Sequence, residues 1–280
     1  MNRLKTFAVH HPVVLSIIVT TIAILISNID VPFGGLYGAY LCGTLVQGSI
    51  CLLLLPLIRL TGINSRTIFS RPVNRKSILL VWPLVLFILL NAFDLFSGSL
   101  KIDVSKPALI VLYILVYTST GLFEEILCRG FILNLLLRKW GQNKKGVYFS
   151  VIISSVIFAL GHFNGLLTGK MDLWSTIAQI FYAFFIGVCF AACYLRIQSL
   201  WPVIILHALF DMSGELRDLT TGGATHPYIT STPISALVGI ALLSVVFFYG
   251  LFILRKIDRA GTADIQVTEA KSTKESLCRP

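Results

Sequence analysis

Long apolar segments separated by short polar ones make up most of this chain, and this alternation restricts its fold more than any other feature. Of its 280 residues, 56% are hydrophobic and 13% are charged, and the mean hydropathy is +0.84. These values exclude an ordinary soluble domain. The predicted spans cover residues 12–27, 36–60, 77–96, 107–137, 146–162, 173–195, 200–212 and 234–254. We therefore predict an all-α polytopic membrane protein, a bundle of about eight transmembrane helices.

The division into domains follows from the same segments. Residues 1–254 are predicted to form a single transmembrane domain. Residues 255–280 are polar and are predicted to be a disordered cytoplasmic tail. The first apolar segment resembles a signal peptide in length, but no small-x-small cleavage site occurs near Asn28, so we interpret it as a retained span.

Basic residues are distributed unevenly between the two sets of loops. Lys and Arg number 23 against 13 Asp and Glu, which gives a net charge of +10. With a cytoplasmic N-terminus, the external loops carry Lys101, Lys106, Lys170 and Arg217. The cytoplasmic segments then carry a much larger set: Arg3, Lys5, Arg59, Arg66, Arg71, Arg75, Lys76, Arg138, Lys139, Lys144, Lys145, Arg196, Arg255, Lys256 and Arg259. By the positive-inside rule, both termini are expected in the cytoplasm. The excess of positive charge is therefore explained by the membrane topology. We expect the lipid bilayer to be a partner of the protein and expect no binding of nucleic acid.

Cysteine usage gives no sign of a disulfide framework. Five of the six cysteines lie in apolar segments, and none forms a Cys-x-x-Cys pair. We interpret them as small buried apolar residues and expect no thiolate metal site.

Three charged residues interrupt the fourth apolar segment: Glu124, Glu125 and Arg129. An ionised side chain at the centre of a bilayer costs about 2.5–3.5 kcal/mol even on lenient insertion scales, so charges at this depth usually mark a functional site. Glu125 and Arg129 are four residues apart and are expected to pair on one helix face, whereas Glu124 is turned about 100° away. Glu124 is therefore the carboxylate left for chemistry. The alternative is an ion pair that only fixes helix packing.

Two histidines and one aspartate also lie within or at the end of apolar segments. They are His162, His207 and Asp211, with Asp211 four residues after His207 on the same helix face. At about 1.5 Å per residue from the nearest cytoplasmic basic residue, Glu124, His162, His207 and Asp211 lie about 21, 25, 16 and 22 Å deep. Helix tilt covers this spread, so the four residues are expected to share one layer of the bilayer.

Such a cluster activates water in one of two ways. The first is a divalent metal, typically Zn²⁺, held by Glu124, His162, His207 and Asp211, which lowers the pKa of bound water. In the second, Glu124 takes the proton of the water directly, while His207 and Asp211 stabilise the oxyanion. Both routes lead to hydrolysis.

These residues resemble the CAAX-protease and bacteriocin-processing family of intramembrane peptidases, also called the Abi family. The resemblance covers about residues 107–212 and rests on three motifs in order. They are Glu124-Glu125-Ile126-Leu127-Cys128-Arg129, Phe158-Ala159-Leu160-Gly161-His162 and His207-Ala208-Leu209-Phe210-Asp211. The resemblance implies an intramembrane endopeptidase in which Glu124 and His162 activate water and His207 with Asp211 supports the oxyanion or a metal, with Glu125 and Arg129 in support. Family members are described both as metalloproteases and as metal-independent glutamate peptidases.

The third motif of this chain departs from part of the family. Asp211 occupies the position at which a well-studied branch has Asn. This difference favours a role for Asp211 in binding a metal or orienting a histidine over a role as an amide donor to the oxyanion.

The expected substrate is therefore a peptide or protein at the membrane, and the expected location is a bacterial plasma membrane. Relatives act on prenylated proteins or in bacteriocin maturation and immunity. Two other functions compete with the peptidase. One is a non-catalytic immunity or scaffold protein, and the other is a proton-coupled transporter, against which the sequence shows neither an inverted repeat nor paired broken helices.

Overall fold

The computed structural model of the chain describes residues 3–29, 34–69, 78–221 and 230–257. The protein is 83% helical, with no strand in these ranges, which confirms the all-α prediction. Several predicted features lie outside the described residues: the loop charges Arg71, Arg75, Lys76 and Arg259, and residues 258–280 of the predicted tail.

The helices follow the predicted apolar segments closely. In chain order they are α1 (Arg3–His10), α2 (Pro12–Ser27), α3 (Gly35–Leu60), α4 (Ser65–Phe69), α5 (Trp82–Asn91), α6 (Phe93–Phe96), α7 (Pro107–Glu125), α8 (Asn134–Trp140), α9 (Lys144–Gly161), α10 (Asn164–Leu167), α11 (Leu173–Ile197), α12 (Trp201–Gly214) and α13 (Pro233–Arg255). A π-helical segment, Ile126–Leu133, joins α7 to α8, and short 3₁₀ turns occupy Leu79–Val81 and Leu216–Leu219.

The predicted count of eight spans is not confirmed. In the described part of the chain, five helical segments are long and apolar enough to cross a membrane: α3, α7 through α8, α9 through α10, α11 and α13. The pair α1 and α2, bent by 108°, makes a sixth if it is taken as one span. The predicted spans at 77–96 and 200–212 correspond to shorter apolar helices, Leu79–Asn91 and Trp201–Gly214. At 1.5 Å per residue each reaches only about 20 Å, less than the roughly 30 Å of a bilayer core.

Local sequence signals determine where several helices begin. Proline occupies one of the first two positions of α2, α5, α7, α12 and α13, where its missing N–H is not needed by the helix. Side-chain caps begin α9, α11 and α13: Asn143 accepts the Gly146 N–H, Asp172 that of Ser175, and Thr232 that of Ser235. In a membrane, helices are favoured because each backbone polar group must be satisfied within the protein.

Helix α11 is the centre of the bundle. In its apolar window 67% of the residues are buried inside the protein, against 22% for α3 and for α13. Its most extensive partners are α13 and α9. At the crossing with α13, a Cβ on Gly250 would stand 2.9 Å from the Cα of Cys189, so the two backbones approach as closely as they do because position 250 has no side chain.

Helix α7, which carries Glu124 and Glu125, is positioned by its packing against two neighbouring helices. Helix α7 packs against α3 on one side and α12 on the other, and α12 also contacts α5. A Cβ on Gly121 would lie 3.0 Å from both the Ala208 nitrogen and the Ile204 oxygen. This small residue lets α12 lie directly against the end of α7, one turn before Glu124 and Glu125.

Candidate active site

The two adjacent glutamates stand at the point where α7 changes into the π-helical segment. Glu125 is the last residue of α7, and Ile126–Leu133 continues with the wider π-helical hydrogen-bonding pattern. The Asn134 side chain stabilises this π-helical segment, because its Nδ2 donates hydrogen bonds to the Arg129 and Gly130 carbonyls at 2.7 and 3.1 Å. Single π-helical turns are rare and occur often at functional sites.

Glu125 and Arg129 form the ion pair that their spacing predicted. Arg129 Nη1 lies 2.7 Å from Glu125 Oε1. Arg129 Nη2 donates to the Gly187 carbonyl of α11 at 2.9 Å, and the guanidinium carbon lies 5.2 and 5.4 Å from the ring centres of Phe158 and Phe190. Glu125 is therefore tied to the centre of the bundle.

His207 connects the acids of α7 with the acid of α12. Its Nδ1 lies 2.8 Å from Glu125 Oε1; because a carboxylate oxygen accepts, Nδ1 is the donor. Its Nε2 lies 3.3 Å from Glu124 Oε2 and 3.6 Å from Asp211 Oδ2. The imidazole is thus held at one nitrogen and faces two carboxylates with the other.

Exposure separates the two glutamates further. The Glu125 side chain has no exposed surface, whereas 20% of the Glu124 side chain and 25% of that of Asp211 are accessible. Water and a substrate can therefore reach Glu124 and Asp211, but they cannot reach the carboxylate that holds His207.

Two adjoining cavities give access to the cluster. Glu124 lines one of about 310 Å³, together with residues of α2, α7 and the loop before α11. His207 and Asp211 line the other, of about 390 Å³, together with residues of α11 and α12. Phe158, His162 and Gln179 line both. The contact between Glu124 and His207 therefore lies between the two cavities.

Among the site residues predicted from the sequence, His162 has the fewest contacts with the other members of the cluster. It follows the last residue of α9 and packs edge-on against Phe158, with 5.1 Å between ring centres. It shares the first cavity with Glu124, but makes no hydrogen bond or ion pair with any described residue. Glu124, Glu125, Arg129, His207 and Asp211 thus form one bonded or near-bonded cluster, and His162 faces the same space from the opposite helix.

The cluster does not have the form of a metal site. Among the described residues, no group of three His, Cys, Asp or Glu side chains is arranged to hold an ion. Of the four predicted ligands, His207 contacts Glu124 and Asp211, whereas His162 makes no hydrogen bond or ion pair with any of the other three. The residues predicted as Zn²⁺ ligands do not fit that role in this arrangement.

Two parts of the site were not predicted. One is the second bond of Arg129, to the Gly187 carbonyl, which nothing in the sequence pattern indicates. The other is Gln179, an amide that lines both cavities. Its signal was present in the sequence, because it is a lone amide in an otherwise apolar segment.

Comparison with known proteins agrees with this geometry. Residues 106–213 match a family model described as type II CAAX prenyl endopeptidase, Rce1-like. No curated protein and no solved structure matches the chain. The matched segment runs from the start of α7 to the end of α12 and contains all three predicted motifs. The family predicted from these motifs is confirmed: residues 106–213 of this membrane protein are an Rce1-like domain of the CAAX prenyl endopeptidase type.

Proposed function

We propose that the protein is an intramembrane endopeptidase that hydrolyses a peptide bond of a membrane-associated peptide or protein. The observation that carries the proposal is the position of Glu124. It is accessible from a cavity, and it lies 3.3 Å from an imidazole whose other nitrogen is bound by a fully buried carboxylate. The Rce1-like match supports the same reaction class.

In the proposed mechanism Glu124 is the general base. Its carboxylate takes one proton from a water molecule while the water oxygen attacks the carbonyl carbon of the scissile peptide bond. The carbonyl oxygen becomes an oxyanion, which His207, protonated at both ring nitrogens, stabilises by donating from Nε2. When the C–N bond breaks, the protonated Glu124 returns its proton to the leaving nitrogen, so that the products are a carboxylic acid and an amine.

The other residues have supporting roles. His162, which lines the cavity of Glu124, orients the attacking water. Glu125 accepts the Nδ1–H of His207 and so fixes the position of the ring, and Arg129 holds Glu125. Asp211 lies 3.6 Å from Nε2, beyond hydrogen-bond length, and limits the movement of the ring.

We propose that this mechanism operates without a metal ion. The support is that, among the described residues, no three His, Cys, Asp or Glu side chains are arranged to hold an ion. Activity should survive exhaustive treatment with a chelator, and the purified protein should hold less than one equivalent of zinc. Loss of activity with a chelator and its recovery with Zn²⁺ would favour the metal mechanism instead.

The family match suggests a prenylated substrate. We therefore choose a reporter peptide that is farnesylated on a cysteine within a carboxyl-terminal CAAX sequence, with a fluorophore and a quencher on either side of that cysteine. A peptide of the same sequence without the prenyl group serves as the comparison. Faster cleavage of the prenylated form would support a prenyl-dependent substrate.

The decisive variants are Glu124→Gln and His162→Ala. Each should abolish cleavage of the reporter peptide, by a factor of about 10² or more, while the protein still inserts and unfolds at a normal temperature. Asp94→Asn is the matched control, since this carboxylate is 54% exposed and outside both cavities. Wild-type rates in Glu124→Gln would reject the mechanism. A cellular phenotype that persists in both variants would favour the non-catalytic immunity or scaffold function.

The same proposal includes the orientation of the chain. We propose that residues 1–254 form one transmembrane domain with both termini in the cytoplasm of a bacterial cell. The asymmetry of Lys and Arg supports it when the two shorter apolar helices, Leu79–Asn91 and Trp201–Gly214, are each counted as a crossing with their flanking residues. Reporter enzymes fused to each terminus, active only on one side of the membrane, test it.

A further inference from the structure

Among the polar side chains that line the two cavities without a role in the mechanism above, Gln179 is the one on the central helix α11 that lines both. It lies on α11, seven residues after the helix cap Asp172 and thus about 10 Å along the helix. The span around it has a mean hydropathy of 2.0. A side-chain amide in such surroundings is unfavourable unless its donor and acceptor groups find partners.

The other amides on the described helices have partners. Gln47 accepts hydrogen bonds from the Ser119 and Thr120 hydroxyls at 2.8 and 3.0 Å. Asn91 donates to Ser213 at 3.4 Å, and Asn134 donates to three acceptors of the chain. Gln179 is half-buried, yet it forms no hydrogen bond with any residue that the structure describes. Its amide is therefore available to bind a ligand that enters the cavities.

The position of Gln179 indicates where that partner lies. Its side chain lines the cavity that reaches Glu124 and also the cavity that reaches His207 and Asp211. The other two residues common to both cavities are Phe158, an apolar ring, and His162, which the mechanism assigns to water. Gln179 is therefore the amide placed beside the reacting bond, on the path that joins the two cavities.

We propose that Gln179 is a substrate-binding residue, whose amide forms hydrogen bonds with the backbone of an extended peptide that passes through both cavities. This inference rests on the proposed peptidase function and deepens it. A peptide in extended form leaves its N–H and C=O groups unpaired, and in apolar surroundings they need protein partners. A glutamine side chain offers one group of each kind.

The protein contains an example of such amide pairing. Asn28, just after α2, and Asn164, at the start of α10, form two reciprocal hydrogen bonds, each 2.8 Å between Nδ2 and Oδ1. In the proposed contact, Gln179 makes a similar pair of bonds with the N–H and C=O of one substrate residue next to the scissile bond, because these two groups point to the same side of an extended backbone. The contact requires a backbone amide and no particular substrate side chain.

The first test compares two amides of the same type. Gln179→Leu should raise KM for the reporter peptide about tenfold, the loss expected for one or two hydrogen bonds, with kcat changed less than about threefold. Its thermal stability should be unchanged or higher, because an unpaired amide is removed. The control Gln47→Leu should unfold at a lower temperature and keep its KM, because that amide bonds only within the protein. An unchanged KM in Gln179→Leu would overturn the inference.

The second test identifies the bond on the substrate. In a series of reporter peptides, each amide next to the scissile bond is replaced in turn by an ester, which removes one N–H and weakens one acceptor. One ester should raise KM about tenfold for the wild type and have no further effect on Gln179→Leu. If each ester affects both proteins equally, Gln179 does not bind the backbone.

A binding measurement distinguishes failure of the proposed peptidase function from failure of the proposed contact with Gln179. If the wild type cleaves no reporter peptide, the binding of the uncleaved peptide, followed by fluorescence anisotropy, replaces KM as the readout. About tenfold weaker binding to Gln179→Leu would support the contact without catalysis. Equal binding to both proteins would overturn it.

Discussion

Glu125 and His207, 82 residues apart in the chain, are joined by 2.8 Å between Oε1 and Nδ1 in a fully buried contact. The same oxygen receives the guanidinium of Arg129 at 2.7 Å. One carboxylate oxygen thus holds together the ion pair of α7 and the imidazole of α12. The arrangement leaves His207 Nε2 directed at Glu124, which is the geometry that the proposed mechanism requires.

The buried ion pair should be strongly coupled. Glu125→Leu and Arg129→Met should each lower the free energy of unfolding by about 3–5 kcal/mol, because each leaves an uncompensated buried charge. The double variant should be less destabilised than the sum of the two, by at least about 1 kcal/mol. Equilibrium unfolding in mixed micelles measures all three. Strict additivity would show that the two charges do not depend on one another. Glu125→Leu and the double variant should not cleave the reporter peptide, since His207 loses its partner Glu125 in both.

Gly121 should control the distance between α7 and α12. Gly121→Ala adds a Cβ 3.0 Å from two backbone atoms of α12, which cannot rotate away as a side chain does. The helix must then shift by a few tenths of an ångström, and His207 moves with it. We expect about tenfold slower cleavage, since small displacements of reacting groups are costly. Gly48→Ala is the control, because its Cβ meets no atom within 4 Å; equal activity of both variants would contradict this role.

Replacing Asp211 separates charge from shape. Asp211→Asn keeps the size of the side chain and adds an N–H that can donate to the oxyanion, which a carboxylate cannot do. Its cleavage rate should stay within about tenfold of the wild type or exceed it, whereas Asp211→Leu should lose about 10² or more. Rates are compared at saturating reporter peptide. An Asn variant as inactive as the Leu variant would mean that the negative charge itself is required.

The cap of α11 should make stability depend on acid pH. Asp172 Oδ1 accepts the Ser175 N–H at 2.7 Å, and hydrogen bonding from Ser175 lowers the pKa of Asp172. A lowered folded-state pKa stabilises the protein above the unfolded value of about 3.9, and this stabilisation is lost as the pH falls through the folded-state value. From pH 6 to pH 3, the Tm of the wild type should therefore fall more than that of Asp172→Asn, whose amide oxygen keeps the cap without titrating. Parallel falls in Tm would show that the cap does not titrate.

The tertiary structure altered some sequence-based predictions and left others intact. The Glu125–Arg129 pair was predictable because residues four apart meet on one helix face. The number of spans was not, because an apolar run of 13 or 14 residues looks the same in sequence whether it crosses the bilayer or lies within the bundle. The hydrogen bond from Arg129 to the Gly187 carbonyl could not be predicted from the sequence either, since it depends on which helices pack against each other.

By itself, the sequence determined the membrane location, the helices and the residues of the cluster, because hydropathy, helix period and motif spacing are local properties of the chain. Only the tertiary structure decided which carboxylate is buried and which is open, since Glu124 and Glu125 are adjacent and chemically alike. It also decided that Gln179 stands between two cavities while Gln47 is satisfied inside the protein. The physical reason is that burial and hydrogen-bond partners belong to the packing of distant segments, which no local pattern encodes.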